Sequence, residues 1–179
     1  MNQINAGNAF GYQDLMNQLD GMSIALGNVV TSPPTLGIGT SSAAKVKLTN
    51  AAATTGLAGS VPFSKASATE VAFTATAHDI PANAASVQER VYVITCTAAG
   101  TMGIVAGTIA SGAGNALLPE RPVNGVCPIG YVRIAVAAAA PSPGANFVAT
   151  DATNGLLSNA WLTVTYKDGY PMPLFSKAQ

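Results

Sequence analysis

Short runs of β-branched and aromatic residues recur along the C-terminal two thirds of this 179-residue sequence, separated by Gly, Pro, Asn and Asp. The clearest runs are residues 90–97, 129–136 and 160–167. Residues of these types pack well on a pleated sheet, and strands at intervals of about 8–12 residues are typical of a β-sandwich or barrel. No long segment has the apolar periodicity of a helix. The sequence therefore predicts an all-β fold, an antiparallel β-sandwich.

Weaker patterns complete this prediction. Residues 101–109 follow 90–97 after the short link 98–100, so we expect these two segments to form a hairpin. Residues 45–49 alternate Lys with apolar side chains, which predicts an edge strand protected by its lysines. Further strands and loops are expected at the following positions: strands over 71–76 and 146–150, loops over 54–56 and 111–125.

The N-terminal third differs from the remainder, because Asn is frequent there and apolar residues are too sparse for a separate core. Residues 12–19 have helical spacing, residues 23–30 form a weak strand pattern, and Pro33 with Pro34 interrupts regular structure. We therefore predict two regions. Residues 1–60 form an extended arm with a short helix that docks on a neighbour, and residues 61–179 form the β-sandwich body with a Pro-rich C-terminal tail.

Charged residues make up only 9% of the chain, and its eight Lys and Arg balance its eight Asp and Glu. An ordinary globular protein has about 25%. Nucleic-acid binding requires clustered Lys and Arg, so we predict no nucleic-acid partner. A surface of neutral polar groups costs less to desolvate than a charged one. The composition therefore predicts that other subunits cover much of the surface.

Two long uncharged segments, 21–44 and 97–119, have the length of a membrane span. The first contains Pro33 and Pro34 and the second contains several Gly, whereas a span needs about 20 mainly apolar residues. We therefore predict no membrane association. The first Lys or Arg is Lys45, so no basic region of a secretory or transit signal is expected.

Residues suited to catalysis are few. His78 is the single histidine, and beside Asp79 it is interpreted as a turn residue. No Gly-x-Ser-x-Gly nucleophile motif or phosphate-binding Gly-rich loop occurs. The acidic residues form no convincing pair, and Glu89–Arg90 and Glu120–Arg121 are interpreted as solvated rims or intersubunit ion pairs. We predict no enzymatic activity, no catalytic residues, no cofactor and no metal site.

The two cysteines, Cys96 and Cys127, lie in strand-like runs and are interpreted as buried free thiols. Together with His78 they cannot supply the four ligands of a structural zinc site. A disulfide requires Cα atoms within about 7 Å, and the sequence leaves that pairing open.

The aromatic residues fall into two groups. Trp161, Tyr92, Tyr131 and Tyr166 lie on predicted strands and are interpreted as core residues rather than a ligand platform. Tyr170 and Phe175 lie in the tail, where they suit an interface anchor.

Residues 71–175 carry a loose series of strand and turn motifs. In chain order these are Ala72-Phe73-Thr74-Ala75, Asp79-Ile80-Pro81-Ala82, Val91-Tyr92-Val93-Ile94, a Gly-rich hairpin, the segment 119–130, Tyr131-Val132-Arg133-Ile134, Phe147 and Leu162–Asp168. In this respect the body resembles small virion structural proteins of tailed bacteriophages, of the capsid decoration (cement) or head-fibre type.

The resemblance implies a jelly-roll-like β-sandwich that forms trimers on the capsid surface. Its partners would be the major capsid protein and further copies of itself, and the virion would be assembled in the host cytoplasm. Its role would be to stabilise the capsid by bridging capsomers. Two alternatives remain, a receptor-binding or fibre-type adhesin and a tail or baseplate component. A major capsid protein is disfavoured, because no long helical segment is predicted.

Overall fold

The computed structural model describes residues 26–40, 45–74, 77–80, 84–119, 125–139 and 161–169. These residues form eleven strands, and every strand pairing is antiparallel. The strands are β1 (Val30–Ser32), β2 (Leu36–Ile38), β3 (Lys45–Leu48), β4 (Thr54–Ala58), β5 (Val61–Lys65), β6 (Glu70–Ala72), β7 (Gln88–Thr97), β8 (Met102–Ala106), β9 (Ala110–Ser111), β10 (Val126–Val136) and β11 (Leu162–Asp168). The predicted all-β antiparallel fold is confirmed.

The largest sheet has the order β11-β10-β7-β8, and β9 also pairs with β7. The long strands β7 and β10 form its centre, with a shift of register between Pro128 and Gly130. Gly130 lies where Leu36 of β2 reaches this sheet. A Cβ at Gly130 would lie 2.7 Å from Leu36 Cδ1 and 2.8 Å from the Lys167 carbonyl oxygen. The bulge therefore combines a proline that cannot donate a hydrogen bond with a glycine that permits close packing.

Two three-stranded sheets, β1-β4-β5 and β2-β3-β6, pack with the five-stranded sheet around one core. Each sheet contributes apolar side chains to it, and the arrangement is sandwich-like. The buried core residues are Leu36, Val46, Leu48, Ala58, Phe63, Phe73, Ile80, Tyr92, Ile94, Cys96, Cys127, Ile129, Val132, Ile134 and Val136. Because the three sheets share one core, strands β1 to β4 pack with the body.

Two local predictions were wrong. Residues 54–56 are part of strand β4 rather than a loop. Its inward-facing residues, Thr54, Gly56 and Ala58, are small. The alternation of buried and half-buried residues therefore gives no alternation of large apolar side chains in the sequence. Strand β3 lies in the middle of its sheet and not at an edge. Its Lys45 ammonium lies 3.6 Å from a carboxylate oxygen of Glu70 on the neighbouring strand β6, which is how a lysine-bearing strand is accommodated there.

Several predictions fall on residues that the structure does not describe. These are the helix over 12–19, the strand over 146–150, the Glu120–Arg121 pair and the tail with Tyr170 and Phe175. The weak strand predicted over 23–30 is described only from Leu26. Leu26 and Gly27 are helical and the strand begins at Val30.

Two of the aromatic predictions are confirmed, because Tyr92 lies in the core and Tyr166 packs against it. Tyr131 is half-buried, and Trp161 is 45% exposed, so the core interpretation of Trp161 was wrong. Trp161 immediately precedes β11, which lies at one edge of the five-stranded sheet as far as the described strands show.

Tyr166→Phe is expected to stabilise the protein by about 1 kcal/mol, because the Tyr166 hydroxyl is buried and has no hydrogen-bond partner among the described residues. Tyr92→Phe is the matched control with the opposite sign. The Tyr92 hydroxyl donates to the His78 carbonyl oxygen, so its removal should destabilise by a similar amount. Urea denaturation of both variants measures the difference, and a destabilising Tyr166→Phe would contradict the prediction.

The same substitution should alter the response to alkaline pH. Burial raises the pKa of Tyr166 from 10.0 to about 12. The unfolded chain therefore releases this proton at a lower pH than the folded chain, and stability falls as pH rises through this interval. Tyr166→Phe should lose less stability than the wild type in the same range, which urea denaturation above pH 10 tests.

Candidate functional site

The face of the five-stranded sheet that points away from the core carries an open pocket of about 250 Å³, here called the outer pocket. Alternate residues of β7, β10 and β11 form its floor, because successive side chains of a strand point to opposite faces. The lining residues are Val87, Glu89, Ala113, Arg133, Ala135, Ala137, Thr163 and Thr165. Apart from one acidic and one basic residue, the lining consists of small neutral side chains.

Glu89 and Arg133 form a partly buried ion pair in the outer pocket. The Arg133 Nη1 donates to Glu89 Oε2 at 2.7 Å, and the Ala116 backbone N–H donates to the same oxygen at 3.0 Å. The Glu89 side chain is only 3% exposed, whereas that of Arg133 is 30% exposed. The two donors compensate the buried carboxylate. The pair therefore anchors the segment around Ala116 to the sheet.

The sequence interpretation of Glu89 with Arg90 as a solvated rim or intersubunit pair was wrong. Neighbouring residues of a strand face opposite sides of a sheet. Arg90 instead donates from Nη1 to the Asp79 carbonyl at 2.9 Å and from Nε to the Gly107 carbonyl at 2.7 Å. The true partner of Glu89 is 44 residues away in sequence and adjacent only through the β7–β10 pairing.

His78 lies at a bend, as predicted, and it packs edge-on against Phe73 and Tyr92 with ring centroids 5.8 and 6.0 Å apart. The backbone N–H of Thr74 donates to His78 Nδ1 at 2.8 Å, which requires that nitrogen to be unprotonated. Burial lowers the pKa of His78, and a hydrogen bond with the Ile104 backbone partly offsets this effect. A neutral, packed imidazole of this kind holds the loop against the core.

Few of the charged residues that the structure describes are fully exposed, although the side chains of Lys45 and Arg133 remain 35% and 30% exposed. Of these ten Asp, Glu, Lys and Arg residues, only Lys167 and Asp168 are exposed rather than half-buried or buried. Asp168 also accepts a hydrogen bond from the Leu36 backbone N–H at 2.9 Å. Large apolar residues are exposed more often, and these are Leu26, Ile38, Val61, Ile109, Leu117 and Trp161. Soluble surfaces usually carry about 25–35% charged residues, so this exterior is unusual for one that faces water alone.

Two of these exposed apolar residues lie close in sequence to residues of the outer pocket. Trp161 immediately precedes β11 and comes two residues before Thr163 of the pocket lining. Leu117 follows Ala116, whose backbone N–H donates to Glu89 of the pocket lining. An open pocket with small lining residues, together with exposed apolar residues elsewhere on the surface, suits contact with a protein surface.

No group of three or more His, Cys, Asp or Glu that could hold a metal ion occurs within the described ranges. In that same part of the chain, no helix has the length and apolar character needed to cross a membrane. Sequence reasoning gave no sign of the outer pocket, because its lining comes from segments distant in sequence and consists largely of residues with little chemical character.

A scan against protein-family models found no match, and searches of the curated proteins and of the solved structures found none either. Any conclusion about function therefore rests on the fold and on the outer face of the five-stranded sheet.

Proposed function

We propose that this chain is a structural protein of a larger assembly, of the capsid decoration type that its sequence resembles. In this proposal it forms homo-oligomers, binds the outside of a virion shell and bridges neighbouring capsid subunits. The observation that carries the proposal is the exterior, where six large apolar residues but only two charged residues are exposed among those described. Such a surface is suited to burial against other protein chains.

The outer face at β11 supports self-association. Among the described strands, β11 pairs only with β10, and a strand edge that no other strand covers is a template for pairing with another chain. Its outward residues Thr163 and Thr165 are neutral and exposed, and Trp161 precedes them. Only Lys167 and Asp168 at the far end bring charge to this strand. A second copy of this chain is the occupant that we propose for this face.

Stabilisation of a shell would follow from mass action. A protein that binds only the assembled shell adds about 4 kcal/mol at a thousand-fold excess over its dissociation constant. A symmetric oligomer that touches several subunits increases the effect through avidity. This mechanism requires shape and surface rather than reactive groups, which agrees with the packed role of His78 and the paired state of Glu89.

The test is the mass of the purified chain in solution, with Trp161→Glu as the variant. Wild type is expected to sediment as a trimer. In the Trp161→Glu variant, the new carboxylate would be buried in the contact between copies and should weaken self-association by about thirtyfold. Val61→Glu is the matched control, because Val61 is 52% exposed but lies on β5 in a different sheet. A monomeric wild type at high concentration would contradict the proposal.

Shell binding is tested by co-sedimentation with capsids assembled from the major capsid protein of the same genome. Wild type should pellet with them, and Trp161→Glu should pellet less because its avidity is lost. A variant that lacks residues 1–25 tests whether the predicted arm contributes to shell binding, because this truncation leaves every described strand intact. A longer truncation would remove Leu36 from the core and confuse loss of binding with loss of folding.

A receptor-binding role is the second candidate, and Trp161 is the observation that favours it. Exposed aromatic rings beside hydroxyl groups can stack on sugars, and Trp161 lies near Thr163. A glycan array separates the candidates. Saturable binding that Trp161→Glu abolishes would favour the adhesin, whereas a decoration protein should show no such binding.

A further inference from the structure

We propose that Cys96 and Cys127 form a redox-controlled disulfide that links the two central strands of the five-stranded sheet. The two residues are direct partners in the β7–β10 register. Neither is in a disulfide, both are fully buried, and both belong to the same core cluster, so their side chains point to the same face. This modification site is independent of the proposed function.

The main-chain hydrogen bonds define the geometry of the pair. The Val91 carbonyl accepts from the Gly107 N–H, and the Thr97 N–H donates to the Thr101 carbonyl, both on the β8 side of β7. Main-chain groups alternate in direction along a strand, so those of Cys96 point towards β10. Cys96 and Cys127 are therefore a hydrogen-bonded pair, for which Cα atoms are about 5.5 Å apart. Disulfides span Cα separations of about 4.4–6.8 Å.

The position of the pair gives an oxidant a route to the buried sulfurs. Only one register pair, Val126 with Thr97, lies between the cysteines and the end of the β7–β10 ladder. Both of those residues are half-buried rather than enclosed. Opening the last pairs of a ladder costs far less than global unfolding, so local opening exposes the thiols without loss of the fold.

The chemistry is a two-step exchange with a small-molecule disulfide such as oxidised glutathione. The thiolate of one cysteine attacks a glutathione sulfur, forms a mixed disulfide and releases one glutathione thiolate. The second cysteine thiolate attacks the protein sulfur of the mixed disulfide and releases the other. The two cysteine protons end on the two released glutathione thiolates. The protein loses two electrons and two protons, and glutathione disulfide is reduced.

The exchange should be slow at neutral pH. Burial raises the pKa of the Cys96 thiol, and the charge of Lys65 opposes this effect only in part. Because the thiolate is the nucleophile, the rate of oxidation should increase with pH through the alkaline range.

The experiment compares the full chain after reduction with the same chain incubated with oxidised glutathione at pH 8. The oxidised chain should lose two hydrogens by intact mass, show no titratable thiol after denaturation and remain a monomer on a non-reducing denaturing gel. The bond closes a loop over residues 97–126, so the thermal midpoint should rise by about 10 °C. Reduction should return the midpoint to its first value.

Cys96→Ala and Cys127→Ala are the matched controls, because each retains one thiol and cannot form the link. The oxidant should not raise the thermal midpoint of either variant. The comparison of reduced with oxidised wild type needs no variant, so poor folding of a variant leaves the test intact. Four results would each overturn the proposal. They are thiols that remain titratable at equilibrium, a mixed disulfide as the final product, a disulfide between chains, and an internal disulfide that lowers the thermal midpoint.

Discussion

Arg133→Met is expected to lower the free energy of unfolding by about 3 kcal/mol. The substitution keeps an unbranched side chain over the sheet. It leaves the Glu89 carboxylate, which is 3% exposed, with the Ala116 N–H as its remaining donor among the described residues. Removing one member of a buried pair costs about 3–5 kcal/mol. We expect the lower end of this range, because the outer pocket is open and water can reach the vacated position. Urea denaturation at neutral pH measures the loss.

Two comparisons identify the cause. Glu89→Gln should cost less than Arg133→Met, because the freed guanidinium is already 30% exposed and can bind water. The double variant should recover part of the Arg133→Met loss, since a neutral amide needs no counter-charge. Lys45→Met removes the more exposed Lys45–Glu70 pair and should cost less than about 1 kcal/mol. Equal effects at the two pairs would show that burial does not determine the strength of the Glu89–Arg133 interaction.

Gly56→Ala is expected to destabilise by about 3 kcal/mol. A Cβ at Gly56 would lie 2.4 Å from the Val29 carbonyl oxygen and 2.8 Å from Phe63 Cε1. The first contact is with backbone, and the Val29 carbonyl also accepts from the Leu57 N–H at 2.7 Å. Strand β1 can move away from β4 only by losing that hydrogen bond, so the added methyl group cannot be accommodated cheaply.

Gly103→Ala is the control for the loss of a strand glycine as such. A Cβ at Gly103 would meet only the Thr95 side-chain oxygen, at 3.1 Å, which a rotation of Thr95 can relieve. Its effect should stay within about 1 kcal/mol. If Gly56→Ala were as mild as Gly103→Ala in thermal and urea unfolding, the close approach of β1 to β4 would be refuted.

Much of the fold could be predicted because the responsible signals are local. Strands β7, β10 and β11 are rich in β-branched and aromatic residues, and the predicted segments 90–97, 129–136 and 160–167 fall on them. The hairpin between β7 and β8 also followed from residues 98–100, where Gly100 has a φ of 73°. Strand β10 begins at Val126 rather than at residue 129 as predicted, because its pairing with β7 continues past Pro128 through a bulge.

The candidate site could not be predicted in the same way. Its lining residues Val87, Ala113, Ala135 and Thr163 carry no chemical signature, and they meet only through the pairing of β7, β10 and β11. The buried state of Glu89 was also invisible, since an acidic residue beside an arginine in sequence resembles a surface pair. Strand alternation separates those two neighbours, and strand pairing supplies the partner.

The amino-acid sequence by itself determined that this protein is an antiparallel all-β chain with little charge, because side-chain type and period-two alternation act within a few residues. Only the tertiary structure decided which strands are neighbours. That decision placed Cys96 opposite Cys127, Arg133 beside Glu89 and β3 inside its sheet. The physical reason is that the register between distant strands depends on how all three sheets bury one shared core, which is a property of the whole chain.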